Sequence, residues 1–285
     1  MKRKLLPILM SIACWLAVAN QSGCSSQPAS NSNVLTANKT TPTPSPSATV
    51  EPAEPEALAE RAAKPPCATD LAHCPNEGCG GDMDANLNKR KNITSDPHQP
   101  STQTLEFMAG LGTPDASFKK GDTREKIAAL GEGKIVKVVA YVLVAKPELG
   151  GESCNCGLHL PQETDNHLVL VSKSTIDSIP IGSIADVFHA REKLSQTAEF
   201  TPRVRLSHPN FTQEKLQPMI DAAPQQALLV RVTGPLLFDS EHFFANHLNR
   251  ANDWEIHPVF KMEVCTTGDT CQADSDAGWK SLDDF

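Results

Sequence analysis

Alternation of apolar and polar residues predicts a mainly β domain in the C-terminal part of the chain. Residues 134–145 alternate at first and then become continuously apolar and rich in valine, which is typical of a buried strand. Shorter patterns of the same kind predict further strands at residues 166–173, 227–233 and 254–264. Weaker strand patterns occur at residues 184–188 and 200–206.

One helix is predicted before the strand at residues 227–233. Asn210 followed by Gln213 resembles a capping box, and apolar residues at helical spacing continue to about Ala222, with Pro218 shortening or kinking the helix. Four or five strands with one short helix predict a small closed or half-open barrel of the oligonucleotide/oligosaccharide-binding (OB) type. A β-sandwich is the alternative.

The first 23 residues have the pattern of an export signal. Basic residues at positions 2–4 precede an apolar run at residues 5–19, which is too short to span a bilayer comfortably. Gly23 places a small residue before Cys24, as lipoprotein signal peptidase requires, and this predicts Cys24 as a lipid anchor. Ordinary cleavage after Ala19 is the alternative, and it would give a soluble periplasmic or secreted protein.

Composition divides the rest of the chain into four segments. Residues 24–66 are rich in Ser, Thr and Pro without apolar periodicity, which predicts a disordered tether. Residues 67–100 are rich in cysteine and turn residues, and predict an arm stapled by disulfides. The β-barrel-like domain is expected at residues 101–272, followed by an acidic, solvated tail at residues 273–285.

The charge and the export signal limit the partners. The formal net charge is -8, and an acidic chain is a poor match for nucleic acid, which needs basic groups against its phosphates. The expected location is the cell envelope, with the membrane as a partner through the lipid anchor. The envelope ligand or protein partner is left open.

The chain has nine cysteines, and in an oxidising compartment disulfides are their first interpretation. Cys265 and Cys271 flank a short turn and predict a local disulfide. Other disulfides are expected among Cys67, Cys74, Cys79, Cys154 and Cys156. If the signal is removed and Cys24 is acylated, an odd number of cysteines remains. One thiol would then be free, paired between chains or bound to a metal.

Three histidines at strand ends are candidates for metal binding or acid/base chemistry: His167, His242 and His257. Carboxylates lie beside them in the sequence at Asp165, Asp239, Glu241 and Glu255. Imidazole with carboxylate can hold a divalent ion or transfer protons. Arg203 is a candidate for binding an anionic oxygen. Each histidine taken alone is more often a surface or hydrogen-bonded structural residue, and no cofactor other than a divalent metal is indicated.

Several short motifs together resemble a family of bacterial exported proteins. They are Gly-Cys-Gly-x-Asp at residues 78–82, Glu-Ser-Cys-Asn-Cys at 152–156, Thr-Pro-Arg-Val-Arg at 201–205 and Trp-Glu-Ile-His-Pro at 254–258. The resemblance covers about residues 67–264. It implies that these motifs belong to one recurring unit, and it implies no particular activity.

Two functions are consistent with these features. The first is an envelope lipoprotein whose barrel binds a polysaccharide, a peptide or an anionic molecule without catalysis. The second is a metal-assisted hydrolase, phosphodiesterase-like or nuclease-like, that uses the histidines and carboxylates. The sequence has no G-x-S-x-G, P-loop or H-E-x-x-H motif. The hydrolase requires at least two of the three histidines and a carboxylate to meet in a cleft.

Overall fold

The computed structural model describes residues 65–285 except residues 82, 97, 149 and 246–248. The predicted signal at residues 1–23, the Cys24 anchor and nearly all of the tether at 24–66 therefore lie outside the described residues. In the described part of the chain, no helix is both long and apolar enough to cross a membrane.

The described residues form one eight-stranded sheet. Its strands are β1 Ser101–Gln103, β2 Ile135–Pro147, β3 Asn166–Val171, β4 Gln196–Phe200, β5 Leu228–Phe238, β6 Trp254–Ile256, β7 Lys261–Cys265 and β8 Trp279–Ser281.

Five of these strands close into a barrel. The order runs β2, β3, β4, β6, β5, and β5 pairs back onto β2. All neighbours in this ring are antiparallel except β4 and β6, which are parallel. An irregularity between Val142 and Val144 lets the long β2 bend, so that its first half pairs with β5 and its second half with β3. The predicted small OB-like barrel is thereby confirmed, and the sandwich alternative is excluded.

The strand predicted at residues 254–264 is two strands. β6 pairs with Leu236–Phe238 of β5, whereas β7 pairs with Val230–Thr233 of the same strand. Residues 257–260 connect the two strands and carry the chain from one stretch of β5 to the other. They contain a cis peptide bond between His257 and Pro258.

The two weak strand predictions were wrong, and a strand lies between them. Residues 184–188 run into the helix Val187–Glu192, capped by Asp186, and residues 200–206 contain the helix Pro202–Arg205. Thr201 caps that second helix and proline occupies its first turn, where a missing N–H costs nothing. The intervening β4 went undetected because it mixes buried polar and apolar residues.

Short helices cover the barrel, rather than the single helix that was expected. They are Ala85–Lys91, Leu105–Ala109, Glu125–Leu130, Lys173–Ser178, Val187–Glu192, Pro202–Arg205, Gln213–Ala222 and Ser240–Ala245. The predicted helix is Gln213–Ala222, with Pro218 inside it. Its cap is Thr212 and not Asn210, whose amide instead donates to the carbonyls of Leu282 and Asp283.

The barrel interior is a continuous apolar core. Phe200, Phe238 and Trp254 are fully buried in it, together with the valines and leucines of β2, β3 and β5. Each such side chain contributes about 1.5–3 kcal/mol to the free energy of unfolding. The core fills the barrel, so polar groups gather at its ends.

The described residues contain three disulfides: Cys67–Cys79, Cys74–Cys156 and Cys265–Cys271. They are typical of a chain that folds outside the reducing cytosol. Cys74–Cys156 ties the N-terminal arm to the β2–β3 loop across 82 residues. Among the described cysteines, Cys154 alone has no disulfide partner, and it is buried.

The acidic segment at residues 273–285, expected to be solvated, is part of the fold. β8 pairs with β7, and Leu282 is fully buried. The Arg231 guanidinium accounts for this, because it donates to the carbonyls of Ala273 and Ser275 and to the Asp276 carboxylate.

Candidate functional site

Strand ends and one loop bring a cluster of buried polar side chains together at one end of the barrel. Asp165 immediately precedes β3, Glu199 lies in β4 and His257 follows β6. β4 and β6 run parallel, with Ala198 opposite Ile256, so the next residues, Glu199 and His257, come side by side. The backbone N–H of Val259 donates to the Glu199 carbonyl at 2.9 Å and extends this alignment beyond β6.

These three side chains form the centre of the site. His257 Nδ1 lies 3.0 Å from Glu199 Oε2, and His257 Nε2 lies 3.7 Å from Asp165 Oδ2. One potential ligand atom from each of the three residues lies within 4.8 Å of the other two. All three residues are buried, and His257 is completely so. We call Asp165, Glu199 and His257 the carboxylate–histidine centre.

Two atoms that face each other in this centre lack hydrogen bonds. Within the described part of the chain, Asp165 Oδ2 and His257 Nε2 have no hydrogen-bond partner, although both are shielded from solvent. The other polar side-chain atom of each residue has a hydrogen-bond partner: Asn155 Nδ2 donates to Asp165 Oδ1, and Glu255 Oε1 lies 3.1 Å from His257 Nδ1. Each unsatisfied buried polar atom costs about 1–3 kcal/mol.

Burial and neighbouring charges shift the protonation of the centre. Burial raises the pKa of Asp165 to about 7, against the opposing attraction of His257. Burial opposes a charge on His257, but Glu199 and Glu255 outweigh it and raise the pKa of His257 to about 10. Burial also opposes ionisation of Glu199, but the charge on His257 holds the pKa of Glu199 well below its ordinary range.

A second group of potential ligands shares Asp165. It consists of Glu152, Cys154 and Asp165, again with ligand atoms within 4.8 Å of one another. Burial raises the pKa of both the Glu152 carboxyl and the Cys154 thiol. The loop that carries them is held by the Cys74–Cys156 disulfide and by Asn92, whose amide donates to the Cys154 carbonyl at 2.8 Å.

On the far side of the centre, Arg250 links further acidic residues. Its Nη1 donates to Thr197 Oγ1 at 2.6 Å and to Glu255 Oε2 at 3.1 Å, and its Nη2 lies 3.7 Å from Asp239 Oδ2. Asp239 in turn contacts His242 Nδ1 at 2.5 Å. The attraction of Asp239 raises the pKa of His242, whose side chain is 40% exposed.

The structure brings two of the three predicted histidines to one carboxylate. His167 Nδ1 lies 3.6 Å from Glu199 Oε1, so His167 and His257 meet at Glu199. His242 and Asp239 are linked to the centre through Arg250, and Asp239 also interacts with Lys91. Glu241 contributes its backbone N–H to Asp239 Oδ1.

Arg203 contacts the N-terminal arm and lines a cavity beside it. Its Nη2 donates to the carbonyls of Cys74, at 2.7 Å, and Pro75, at 3.3 Å, so the guanidinium fastens the N-terminal arm to the barrel. Arg203 Nε has no hydrogen-bond partner among the described residues, so the expectation that Arg203 binds an anionic oxygen stays a prediction.

Sequence reasoning missed Glu199, Glu152, Lys91 and Arg250. Glu199 follows Ala198 and precedes Phe200 in a strand that was not predicted. The available signal was a single glutamate between two apolar residues. If such a glutamate is buried, its carboxylate requires polar or charged partners. Lys91, whose Nζ lies 3.7 Å from Glu152 Oε1, stands in a basic run, and nothing in that run distinguishes it as buried.

Two cavities of about 340 and 410 Å³ lie beside the N-terminal arm. The first is lined by residues that include Asn76, Asn92 and Arg203, and the second by residues that include Arg90 and Arg124. As far as the described residues show, neither cavity reaches the carboxylate–histidine centre. The closed barrel is compatible with a ligand-binding domain.

Comparisons of the chain with protein-family models, with curated proteins and with solved structures found no match. The resemblance to a family of exported proteins therefore stays a prediction, and the chemistry of the site must be inferred from its own geometry.

Proposed function

We propose that this chain is an exported, lipid-anchored envelope protein whose OB-type barrel binds a divalent transition-metal ion between Asp165 and His257, with Glu199 fixing the imidazole of His257. One observation carries the proposal: a buried carboxylate oxygen and a buried imidazole nitrogen face each other at 3.7 Å without hydrogen bonds to any described group. Zinc ligands lie about 2.0–2.2 Å from the ion. Two such atoms 3.7 Å apart are therefore close to the separation that one ion would bridge.

The surroundings of His257 fit those of a metal-binding histidine. Such a histidine presents one ring nitrogen to the metal, and its other N–H donates to a carboxylate that fixes the ring. Here Nε2 faces Asp165, while Nδ1 lies within 3.1 Å of both Glu199 and Glu255. Binding would displace the proton from Nε2, and the ion would take over the role of the positive charge between the carboxylates.

Cysteine pairing supports the lipid anchor. Six of the seven described cysteines form disulfides, and the seventh, Cys154, is 2% exposed. Cys24 therefore has no accessible described cysteine with which to pair. This supports acylation of Cys24 and removal of the signal before it.

The metal proposal is tested by elemental analysis of the full exported chain after loading with zinc and removal of excess ion. We expect bound zinc in the unchanged protein and at least one equivalent less in His257→Ala and Asp165→Asn. His73→Ala is the matched control, because His73 is exposed and pairs only with Asp70. Equal zinc retention in all four proteins would overturn the proposal.

The anchor is tested by fractionation and intact mass. We expect the protein in the membrane fraction, with a mass that corresponds to an acylated chain beginning at Cys24. Cys24→Ser should release it into the soluble fraction. A mature chain that begins at Asn20 and carries no lipid would show ordinary secretion instead.

His167 favours a second candidate, a metal-assisted hydrolase. Its side chain is 22% exposed and lies 3.4 Å from Glu148 and 3.6 Å from Glu199, so it is placed between solvent and the centre. A metal-activated water could exchange protons with such a group. The zinc-loaded protein should then hydrolyse a chromogenic phosphodiester, and His167→Ala should lose the activity while it retains the metal. If no hydrolysis is detected, the hydrolase is excluded and metal binding without catalysis remains the proposed function.

A further inference from the structure

We propose that Glu152, Cys154 and Asp165 form a second divalent-metal position, so that Asp165 is shared between two neighbouring ions. This inference rests on the proposed function, because the first ion also uses Asp165. The carboxylate–histidine centre would hold one ion and the β2–β3 loop would complete the site for the other. A thiolate ligand favours zinc or cobalt over magnesium or calcium.

The second position has its own unsatisfied ligands. Glu152 Oε2 has no hydrogen bond to any described residue, and its side chain is 10% exposed. The thiol of Cys154 is free, in contrast to the other described cysteines, which are all paired. The two groups and Asp165 place ligand atoms within 4.8 Å of one another.

The neighbouring lysine engages only one oxygen of Glu152. Lys91 Nζ lies 3.7 Å from Oε1, which leaves Oε2 for the ion. Lys91 is buried at the end of the helix Ala85–Lys91, and that helix also contacts the loop through Asn88, whose amide donates to Ser153 Oγ. The arm therefore orients the ligand loop and neutralises part of its charge.

Charge favours a cation at the second position. Glu152, Cys154 as thiolate and Asp165 would supply three negative charges, of which Lys91 balances one. Binding of the second ion releases the thiol proton of Cys154 to solvent and forms a metal–sulfur bond.

Cobalt(II) distinguishes the two positions because a cobalt–thiolate bond has a charge-transfer absorption in the near ultraviolet. The full chain is titrated with cobalt and then with zinc, beside Cys154→Ser, Glu152→Gln and His257→Ala. Glu163→Gln is the matched control, since it makes the same change elsewhere in the same loop.

We expect two equivalents of metal and a thiolate band in the unchanged protein and in Glu163→Gln. Cys154→Ser should bind one equivalent without the band, and Glu152→Gln should bind the second equivalent at least about tenfold more weakly. His257→Ala should lose one equivalent and keep the band.

One equivalent without a thiolate band, lost in His257→Ala, would overturn the second position and leave the proposed function intact. No bound equivalent in the unchanged protein would overturn both. If Cys154→Ser does not fold, the spectrum of the unchanged protein decides: two equivalents with the band support the second position, and any spectrum without the band overturns it.

Discussion

Two buried charged clusters in this domain differ in how completely the chain satisfies them. In the first, Arg124 donates to both carboxylate oxygens of Glu132, to Ser240 Oγ at 3.0 Å and to the Phe238 carbonyl at 2.6 Å. Glu132 also accepts from the Phe238 backbone N–H. In the carboxylate–histidine centre, by contrast, Asp165 Oδ2 and His257 Nε2 are left without hydrogen bonds from the described residues.

We interpret this difference as one between a cluster that stabilises the fold and a cluster that binds a ligand. Buried polar networks are stable when every member is paired, and an incomplete network is destabilising unless something else completes it. Arg124 and Glu132 are complete with groups from this chain, so they serve the fold. We propose that the carboxylate–histidine centre is completed by a ligand that accepts electron pairs from both an imidazole and a carboxylate, as a metal ion does.

The largest expected effect is the loss of stability when the satisfied cluster is broken. Glu132→Gln leaves the Arg124 charge buried without its anionic partner, and the free energy of unfolding should fall by about 3–5 kcal/mol. Urea unfolding measures this, with the exposed Glu125→Gln as control. Zinc stoichiometry should not change. A loss below about 1 kcal/mol would show that the pair does not stabilise the fold as stated.

Zinc should stabilise the protein through the incomplete cluster alone. At a zinc concentration one hundred times Kd, binding adds about 2.7 kcal/mol to the free energy of unfolding. For a domain of this size the melting temperature should rise by about 5–10 °C. Glu132→Gln should show the same rise from its lower starting value, and His257→Ala should show a smaller rise, because it keeps only the position at Glu152, Cys154 and Asp165. A rise in His257→Ala equal to that of the unchanged protein would place the zinc elsewhere.

Removal of one charge from the incomplete cluster should cost little in the metal-free protein. Asp165→Asn keeps the acceptor oxygen for Asn155 and removes a carboxylate that burial disfavours, so in chelator at pH 8 we expect a change within about 1 kcal/mol, towards greater stability. Differential scanning calorimetry with and without zinc tests this. A loss of 3 kcal/mol or more would mean that Asp165 and His257 form a structural ion pair.

The smallest expected effect concerns His242 and Asp239, which lie beyond Arg250. Asp239 raises the pKa of His242, so this stabilisation is present below the unfolded-state value of 6.5 and is lost as pH rises through the folded-state value. Burial opposes ionisation of Asp239, but Lys91 and then His242 hold its pKa well below 3.8, so the pair also weakens in strong acid. Because His242 is 40% exposed, solvent limits the effect to about 0.5–1 kcal/mol.

His242→Ala should therefore lower stability most below pH 6.5, with a loss that shrinks as the pH rises through the raised pKa of His242, as measured by urea unfolding from acidic to alkaline pH. Its zinc stoichiometry should equal that of the unchanged protein. A stability loss that does not depend on pH would mean that His242 contributes through packing rather than charge.

The sequence was sufficient to predict the barrel but only part of the site. Valine-rich runs in β2, β3 and β5 reveal strands because their buried faces must be apolar. β4 was not predicted because Gln196, Thr197 and Glu199 are polar although they are buried, whereas buried strand residues are usually apolar. His257 and His167 stood out beside carboxylates, but their meeting at Glu199 depends on strand register, which no local pattern contains.

The pairing of the cysteines could also be predicted only in part from the sequence. An odd count after acylation of Cys24 predicts one unpaired thiol, but not which one. Cys156 and Cys154 are two residues apart, and only the position of Cys74 in the folded arm decides that Cys156 is paired and Cys154 is left beside Glu152 and Asp165.

Anomalous X-ray diffraction at the zinc absorption edge, from crystals of the zinc-loaded protein, tests the central claim most directly. We predict a peak between Asp165 Oδ2 and His257 Nε2, about 2.0–2.2 Å from each atom. A fully loaded crystal with no anomalous peak near these atoms, or with peaks only at surface histidines such as His73, would contradict the assignment of this cluster as a metal centre.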